Sequence, residues 1–132
     1  MENIIKASIA IGGGIASFLF GGWSQALQAL LLFIAVDYIT GVIAAGKEGR
    51  LSSDAGLKGI ARKVMIFFVV AVAHQVDLLL GYGHVFRDAA VTFYVVNEAI
   101  SILENAGRMG VPIPDRIQQA IEILKGKEKV KK

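Results

Sequence analysis

Residues 30–46 read LLLFIAVDYITGVIAAG, an almost unbroken apolar stretch with one carboxylate, Asp37, near its middle. No charged side chain occurs between Lys6 and Asp37, an interval longer than the roughly 20 residues that one membrane-spanning helix needs. A carboxylate at the centre of such a helix costs about 2.5–3.5 kcal/mol, which the surrounding Leu, Ile, Phe and Val residues can offset. The stretch therefore predicts a spanning helix in which Asp37 does not face lipid.

The composition of the whole chain also indicates a membrane protein. Of its 132 residues, 55% are hydrophobic and only 19% are charged, and the mean hydropathy is +0.59. A soluble domain of this size needs more polar residues to cover its surface. The chain contains no cysteine, which excludes disulfides, thiolate catalysis and cysteine-type zinc sites.

Turn-forming and charged residues divide the apolar sequence into four predicted spans. These spans cover about residues 4–20, 26–45, 64–81 and 85–105. The fourth is the weakest candidate, because Asp88, Glu98 and Glu104 interrupt it, and a helix lying on the membrane surface is the alternative. The predicted fold is thus an all-α integral membrane protein.

The positions of the basic residues predict the topology, because loops rich in Lys and Arg stay in the cytoplasm. Lys6, the basic 46–63 loop and a C-terminal tail holding five of the fourteen Lys and Arg residues are predicted to share one side. Within this loop, Ser52 or Ser53 is a candidate N-cap of a short helix. We therefore expect two helical hairpins with both termini in the cytoplasm.

The chain changes character near residue 110, so we predict a membrane domain at 1–110 and a cytoplasmic segment at 111–132. In that segment Ile117, Ala120, Ile121 and Leu124 share one face of a short amphipathic helix, and a basic tail follows. The tail is expected to contact anionic lipid headgroups. Nucleic acid is not an expected partner, since no aromatic residues alternate with the lysines.

Polar side chains inside the predicted spans are the candidate functional residues. Thr40 and Gly41 share a face of the second span with Asp37. On the third span, His74 and Asp77 are three residues apart and are predicted to hydrogen-bond to each other. Helical spacing on the fourth span predicts a polar seam formed by Tyr94, Asn97, Glu98, Ser101, Glu104, Asn105 and Arg108.

Two interpretations of these groups remain open at this point. They satisfy one another inside a compact four-helix bundle, or they line an aqueous path when several copies assemble. A catalytic interpretation finds no support, because the sequence has no nucleophile elbow, no HExxH and no phosphate-binding loop. We therefore predict no catalytic, cofactor-binding or metal-binding residues.

Three segments in combination resemble the holin family of phage lysis and clostridial toxin secretion. They are DYITG from Asp37, LSSDAGLKG from Leu51 and SILENAGRMGVPIP from Ser101, and they occur in this order. The positions that match the family pattern are Asp37, Tyr38, Thr40, Gly41, Leu51, Ser52, Gly56, Lys58, Gly59, Lys63, Glu98, Ser101, Glu104, Asn105, Pro112 and Pro114.

The resemblance implies a protein encoded by a phage or prophage that is not an enzyme. Such a protein forms homo-oligomers in the bacterial cytoplasmic membrane and opens lesions that release an endolysin or a toxin. Whether an antiholin partner exists stays open. Two alternatives are a small oligomeric ion-conducting protein, such as a proton-leak toxin, and a structural subunit that anchors a partner.

Overall fold

The structure is a computed structural model that describes the backbone of residues 1–130 and the side chains of residues 1–123. Every regular element in this range is an α-helix, which confirms the all-helical prediction. The helices are α1 (Glu2–Phe20), α2 (Gln25–Lys47), α3 (Ser53–Leu80), α4 (Val85–Arg108) and α5 (Asp115–Val130). The side chains of Leu124 and of the lysines in the basic tail lie outside the described residues.

Three helices in the described part of the chain, α1, α2 and α3, are long and apolar enough to cross a membrane. Helix α4 is not among them, because polar and charged residues lower its hydropathy. The first three spans are therefore supported as long apolar helices, while the fourth span and the two-hairpin arrangement stay predictions. The division of the chain near residue 110 also stays a prediction.

Local sequence signals explain where the helices begin and end. The hydroxyl oxygens of Ser24 and Ser52 accept hydrogen bonds from the backbone N–H groups of Leu27 and Ala55, which caps the N-termini of α2 and α3. Helix α1 ends at Phe20, and the next residue, Gly21, has a φ of 72° in the left-handed region that glycine adopts without strain.

The predicted loop over residues 46–63 is wrong in its second half. Helix α3 begins at Ser53 and continues without a break through the predicted third span, so only residues 48–52 connect α2 to α3. Polarity suggested a loop at 46–63 with at most a short helix capped by Ser52 or Ser53. However, the Ser52 cap starts a helix there, and no proline interrupts it before the apolar sequence begins.

Helix α4 packs most extensively against α2 and next against α3, so the least apolar of the four long helices holds the other two together. Helices α2 and α3 touch each other at few positions. Helix α1 contacts mainly α3 and leaves most of its apolar surface exposed, with Ile9 70% and Phe18 72% accessible. The buried apolar core is formed by Phe20, Leu27, Leu30, Ile34, Val70 and Val91.

Two groups of connections lie at opposite ends of the bundle. At the turn end, defined by residues 21–24 and 81–84, a guanidinium nitrogen of Arg87 donates to the carbonyl oxygen of Phe20 at 2.8 Å. At the loop end, defined by residues 48–52 and 109–114, the ammonium of Lys47 donates to the carbonyl oxygen of Met109 at 2.9 Å. These contacts place both short turns together, away from the 48–52 connection.

Candidate functional site

Three charged side chains from three helices meet in the bundle, and we call Asp37, Lys63 and Glu98 the charge cluster. The Lys63 Nζ atom lies 2.5 Å from Asp37 Oδ2, and 2.5 and 2.8 Å from the two carboxylate oxygens of Glu98. The Glu98 side chain is 1% exposed, that of Asp37 10% and that of Lys63 23%. Lys63 thus links α2 to α4 through a single ammonium group.

Helix geometry brings these three residues to one level. Asp37 lies ten residues before the end of α2, Lys63 ten residues after the start of α3 and Glu98 ten residues before the end of α4. At 1.5 Å per residue, each lies about 15 Å from the loop end. A buried carboxylate without a partner is strongly unfavourable, and here both carboxylates share one cation.

Asn105 adds a second layer of hydrogen bonds beside Asp37. Its amide nitrogen donates to Asp37 Oδ1 at 2.9 Å, to the Asp37 carbonyl oxygen at 3.1 Å and to the Thr40 hydroxyl at 3.0 Å. Asn105 is 7% exposed, so these bonds form away from solvent. Gly41 lies beside this amide, where an added Cβ would be 3.6 Å from the Asn105 nitrogen.

Small residues on α3 make room for the ring of Tyr38. Its hydroxyl donates to the carbonyl oxygen of Gly56 at 3.3 Å. A Cβ added at Gly56 would lie 3.2 Å from the Tyr38 hydroxyl oxygen, and one added at Gly59 would lie 3.5 Å from the ring. Gly56, Gly59 and Lys63 follow the 3-and-4 spacing of one helix face, so the glycines allow the approach that brings Lys63 to the charge cluster.

The predicted polar seam of α4 divides into two parts. Glu98 and Asn105 are buried against α2 and α3, and Ser101 between them is half buried. Asn97 and Glu104 are exposed on another part of the helix surface. The structure therefore brings Asp37, Thr40, Glu98 and Asn105 together. Asn97 stays exposed but lines a cavity with Glu98 and Lys63.

His74 and Asp77 do not form the predicted hydrogen bond with each other. The two carboxylate oxygens of Asp77 accept from the backbone N–H groups of Phe86 and Arg87, at 2.8 and 2.9 Å, and so cap the N-terminus of α4. The Nδ1 atom of His74 is buried without a hydrogen-bond partner in the described chain. Asp77 thus stabilises the turn between α3 and α4.

Charged residues also join α2 to α4 at the loop end. One carboxylate oxygen of Glu48 lies 2.6 Å from the guanidinium nitrogens of both Arg108 and Arg50. The hydrogen bonds from Arg108 and then Arg50 lower the pKa of Glu48 from 4.5 to about 2. This cluster is exposed at its edges, so its contribution to stability is screened by water and salt.

The role of Lys63 is not evident from the sequence alone. Its position assigns this lysine to the basic loop motif, whereas in the structure Lys63 is the shared cation of the charge cluster. The helical spacing of Gly56, Gly59 and Lys63 was the sequence signal that could have placed Lys63 on the packed face of a helix. Arg87 was missed as well. It is buried, at 7% exposed, but no helix-face pattern in the sequence marks it.

Among the described residues, no group of three or more His, Cys, Asp or Glu side chains is arranged to hold a metal ion.

The long apolar helices and the buried charge cluster define the class of this chain, a small α-helical membrane protein. Residues 14–126 match the model of the bacteriophage holin family. The chain therefore belongs to this family of non-enzymatic membrane proteins, and the resemblance seen in the sequence is confirmed. Membership implies oligomerisation in the membrane.

Several relatives match nearly the whole chain. An uncharacterised protein of Halalkalibacterium halodurans is 49% identical over 97% of this chain and 98% of its own length. An uncharacterised protein of Listeria monocytogenes is 46% identical over 96% of this chain and 91% of its own length. A protein of Bacillus phage phi105 named "probable holin" is 37% identical over 82% of this chain and 79% of its own length. No solved structure gives a significant match.

Proposed function

We propose that the protein is a holin that oligomerises in the bacterial cytoplasmic membrane and opens lesions through which an endolysin or a toxin leaves the cell. Family membership and the similarity to a phage protein named "probable holin" support this proposal. The charge cluster supports it further, because polar groups held inside one copy can line water once several copies assemble. A regulatory antiholin is compatible with this proposal.

The proposal includes a fourth membrane span formed by α4. The helix has 24 residues, about 36 Å at 1.5 Å per residue, which is enough to cross the hydrocarbon layer. Its charged residues near the ends can reach the interface, and Glu98 in its middle is paired with Lys63. Hydropathy alone underestimates α4, because the energy of inserting Glu98 depends on its partner.

We place the loop end and both termini in the cytoplasm, since the basic residues concentrate there. The absence of native cysteine permits a direct test with single-cysteine variants. Tyr82 at the turn end and Leu51 at the loop end are 52% and 63% exposed, and neither has a positive φ. A thiol reagent that cannot cross the membrane is expected to label Tyr82→Cys in intact cells and to leave Leu51→Cys unlabelled. The reverse pattern contradicts the proposed orientation.

In the proposed mechanism, the charge cluster changes partners during assembly. In one copy, Lys63 and Asn105 satisfy the carboxylates of Asp37 and Glu98. In a large ring, water can replace these partners, so a high density of copies in the membrane shifts the balance toward an open lesion. The domain after residue 110 remains on the cytoplasmic side, with its basic tail near anionic headgroups.

Release of a cytoplasmic reporter enzyme of tens of kilodaltons from expressing cells tests the function. The triple variant Asp37→Leu, Lys63→Met, Glu98→Leu removes all three charged groups of the charge cluster and so leaves none of them unpaired. We expect it to insert normally and to release the reporter late or not at all. The control Lys58→Met changes an exposed lysine of the same helix and is expected to release the reporter at the normal time.

Two results would contradict the proposal. Normal release by the triple variant would show that the charge cluster does not line the lesion. Loss of membrane potential without release of the reporter from cells making the unmodified protein would instead favour a narrow ion-conducting oligomer. Cysteine labelling of each variant confirms that insertion is unchanged before either result is interpreted.

A further inference from the structure

The cleft between α2 and α3 contains two adjoining cavities of different chemistry. Toward the loop end lies a polar cavity of about 370 Å³, lined by side chains that include Arg50, Ser52 and Arg62. Deeper along the same two helices lies a groove of about 260 Å³. Its apolar wall is formed by Leu31, Ile34, Ala35, Ile60, Val64 and Phe67. Tyr38 and Lys63 line both cavities, so the polar cavity and the apolar groove meet beside them.

One positive charge at the polar cavity, that of Arg62, has no ion-pair partner among the described residues. The other charged residues of the cavity are paired, since Lys63 binds Asp37 and Glu98 and Arg50 binds Glu48. Arg62 also lines the cavity, and within the described part of the chain it forms no hydrogen bond or ion pair. A guanidinium with free donors is well suited to bind phosphate oxygens.

The position of Arg62 along α3 coincides with a change in the sequence. Arg62 and Lys63 are the last basic residues of α3, and the helix continues with an apolar segment from Val64. Phe67 lies five residues beyond Arg62, about 7.5 Å deeper at 1.5 Å per residue. A long basic side chain at this boundary can extend along the helix toward the lipid headgroups, while the groove lies at the level of the acyl chains.

We propose that this cleft binds one anionic phospholipid, with its phosphate beside Arg62 and an acyl chain in the groove beside Phe67. A soluble anion would compensate the charge of Arg62 but would leave the groove empty. A helix from a second copy would cover the groove but would bring no anion to the cavity. A single amphiphile with a negative headgroup satisfies both requirements.

Fluorescence quenching by brominated lipids tests this site at one position. Trp23 is the only tryptophan of the sequence and lies at the turn end, so the full-length variant Trp23→Phe, Phe67→Trp places one reporter in the groove. It is reconstituted in phosphatidylcholine vesicles with increasing fractions of chain-brominated phosphatidylglycerol or phosphatidylcholine. We expect half-maximal quenching at a fraction of brominated phosphatidylglycerol about fivefold lower than the fraction of brominated phosphatidylcholine that gives the same quenching. This ratio corresponds to one basic side chain acting on an anionic headgroup.

Two arginine variants in this background separate a site from general attraction. Arg62→Gln is expected to bring the ratio close to one. Arg116→Gln removes the same charge from the exposed start of α5 and is expected to leave the ratio unchanged. Equal quenching by both lipids before substitution, or a preference that survives Arg62→Gln, would overturn the proposal.

Two further outcomes would identify a different occupant. If neither lipid quenches the reporter, protein covers the groove, and a second copy replaces lipid as its occupant. If inorganic phosphate in the buffer abolishes the preference, the cavity binds a free anion instead of a lipid headgroup. The proposed lipid site requires insertion in a membrane but not a lesion, so quenching and reporter release can fail independently.

Discussion

Replacing Lys63 with methionine tests the charge cluster directly. Methionine keeps much of the length of the side chain but removes the ammonium that holds Asp37 and Glu98 at 2.5 Å each. Removing one partner of a buried ion pair costs about 3–5 kcal/mol, because the remaining charge stays buried. The Lys63 side chain is 23% exposed, so water partly compensates and we expect the lower end, about 3 kcal/mol.

The assay is reversible unfolding of the full-length chain in mixed micelles by sodium dodecyl sulfate, followed by circular dichroism. Lys58→Met is a matched control, because it makes the same substitution on the same helix. Lys58 pairs with Asp54 at 3.2 Å, and both side chains are largely exposed, at 68% and 80%. The free energy of unfolding is expected to change by less than about 0.5 kcal/mol in this control.

A second substitution shows whether the loss comes from an unpaired carboxylate. Glu98→Gln in the Lys63→Met background removes one of the two buried negative charges while keeping the shape of the side chain. We expect the double variant to regain about half of the lost free energy of unfolding, a coupling that independent sites do not show. If Lys63→Met is no more destabilising than Lys58→Met, the charge cluster does not stabilise the bundle.

Two other predictions concern the ends of the bundle. Gly21→Ala is expected to lower the free energy of unfolding by about 1–3 kcal/mol, because φ is +72° and the new Cβ would lie 2.6 Å from Cε1 of His74. The control Gly14→Ala has no atom within 4 Å of the new Cβ and is expected not to destabilise the protein. The Glu48 pKa is lowered from 4.5 to about 2, so its contribution to stability is complete above pH 4.5 and is lost as pH falls toward 2. In Glu48→Gln, the free energy of unfolding measured from pH 4.5 down to about 2 is expected to lack this pH-dependent contribution of Glu48.

Hydrophobic runs and turn residues were sufficient to predict the helical class and the approximate extent of the first two spans. Asp37 was correctly expected to face polar side chains, because no lipid-facing position satisfies a carboxylate. A helix start at Ser52 or Ser53 was predicted, but only for a short helix. Its continuity with the third span was not predicted, since the composition of residues 53–63 suits either a loop or the exposed turns of a longer helix. The Ser52 cap decides between these, but a serine alone is a weak signal because serine is also common in turns.

The charge cluster itself could be predicted only in part. Asn97 and Glu98 are adjacent on α4, and helical periodicity alone does not show which of them faces α2 and α3. That choice depends on tertiary packing, which buries Glu98 and exposes Asn97. Lys63 was assigned to a loop because it lies where the basic sequence meets the apolar one. Its role depends on the close approach of α3 to Tyr38, which is tightest at Gly56, where an added Cβ would lie 3.2 Å from the Tyr38 hydroxyl oxygen.

The central position of α4 links folding to the proposed opening of the lesion. Glu98 and Asn105 lie seven residues apart on one face of α4, and their partners come from α2 and α3. A rotation of α4 large enough to turn this face toward water would remove both from their partners at once and would leave Asp37 without Asn105. Because these bonds are lost together, intermediate orientations leave several buried groups unpaired and are unfavourable. On the proposed mechanism, the protein therefore alternates between a closed arrangement and an assembled one, which suits a lesion that opens at a defined density of copies.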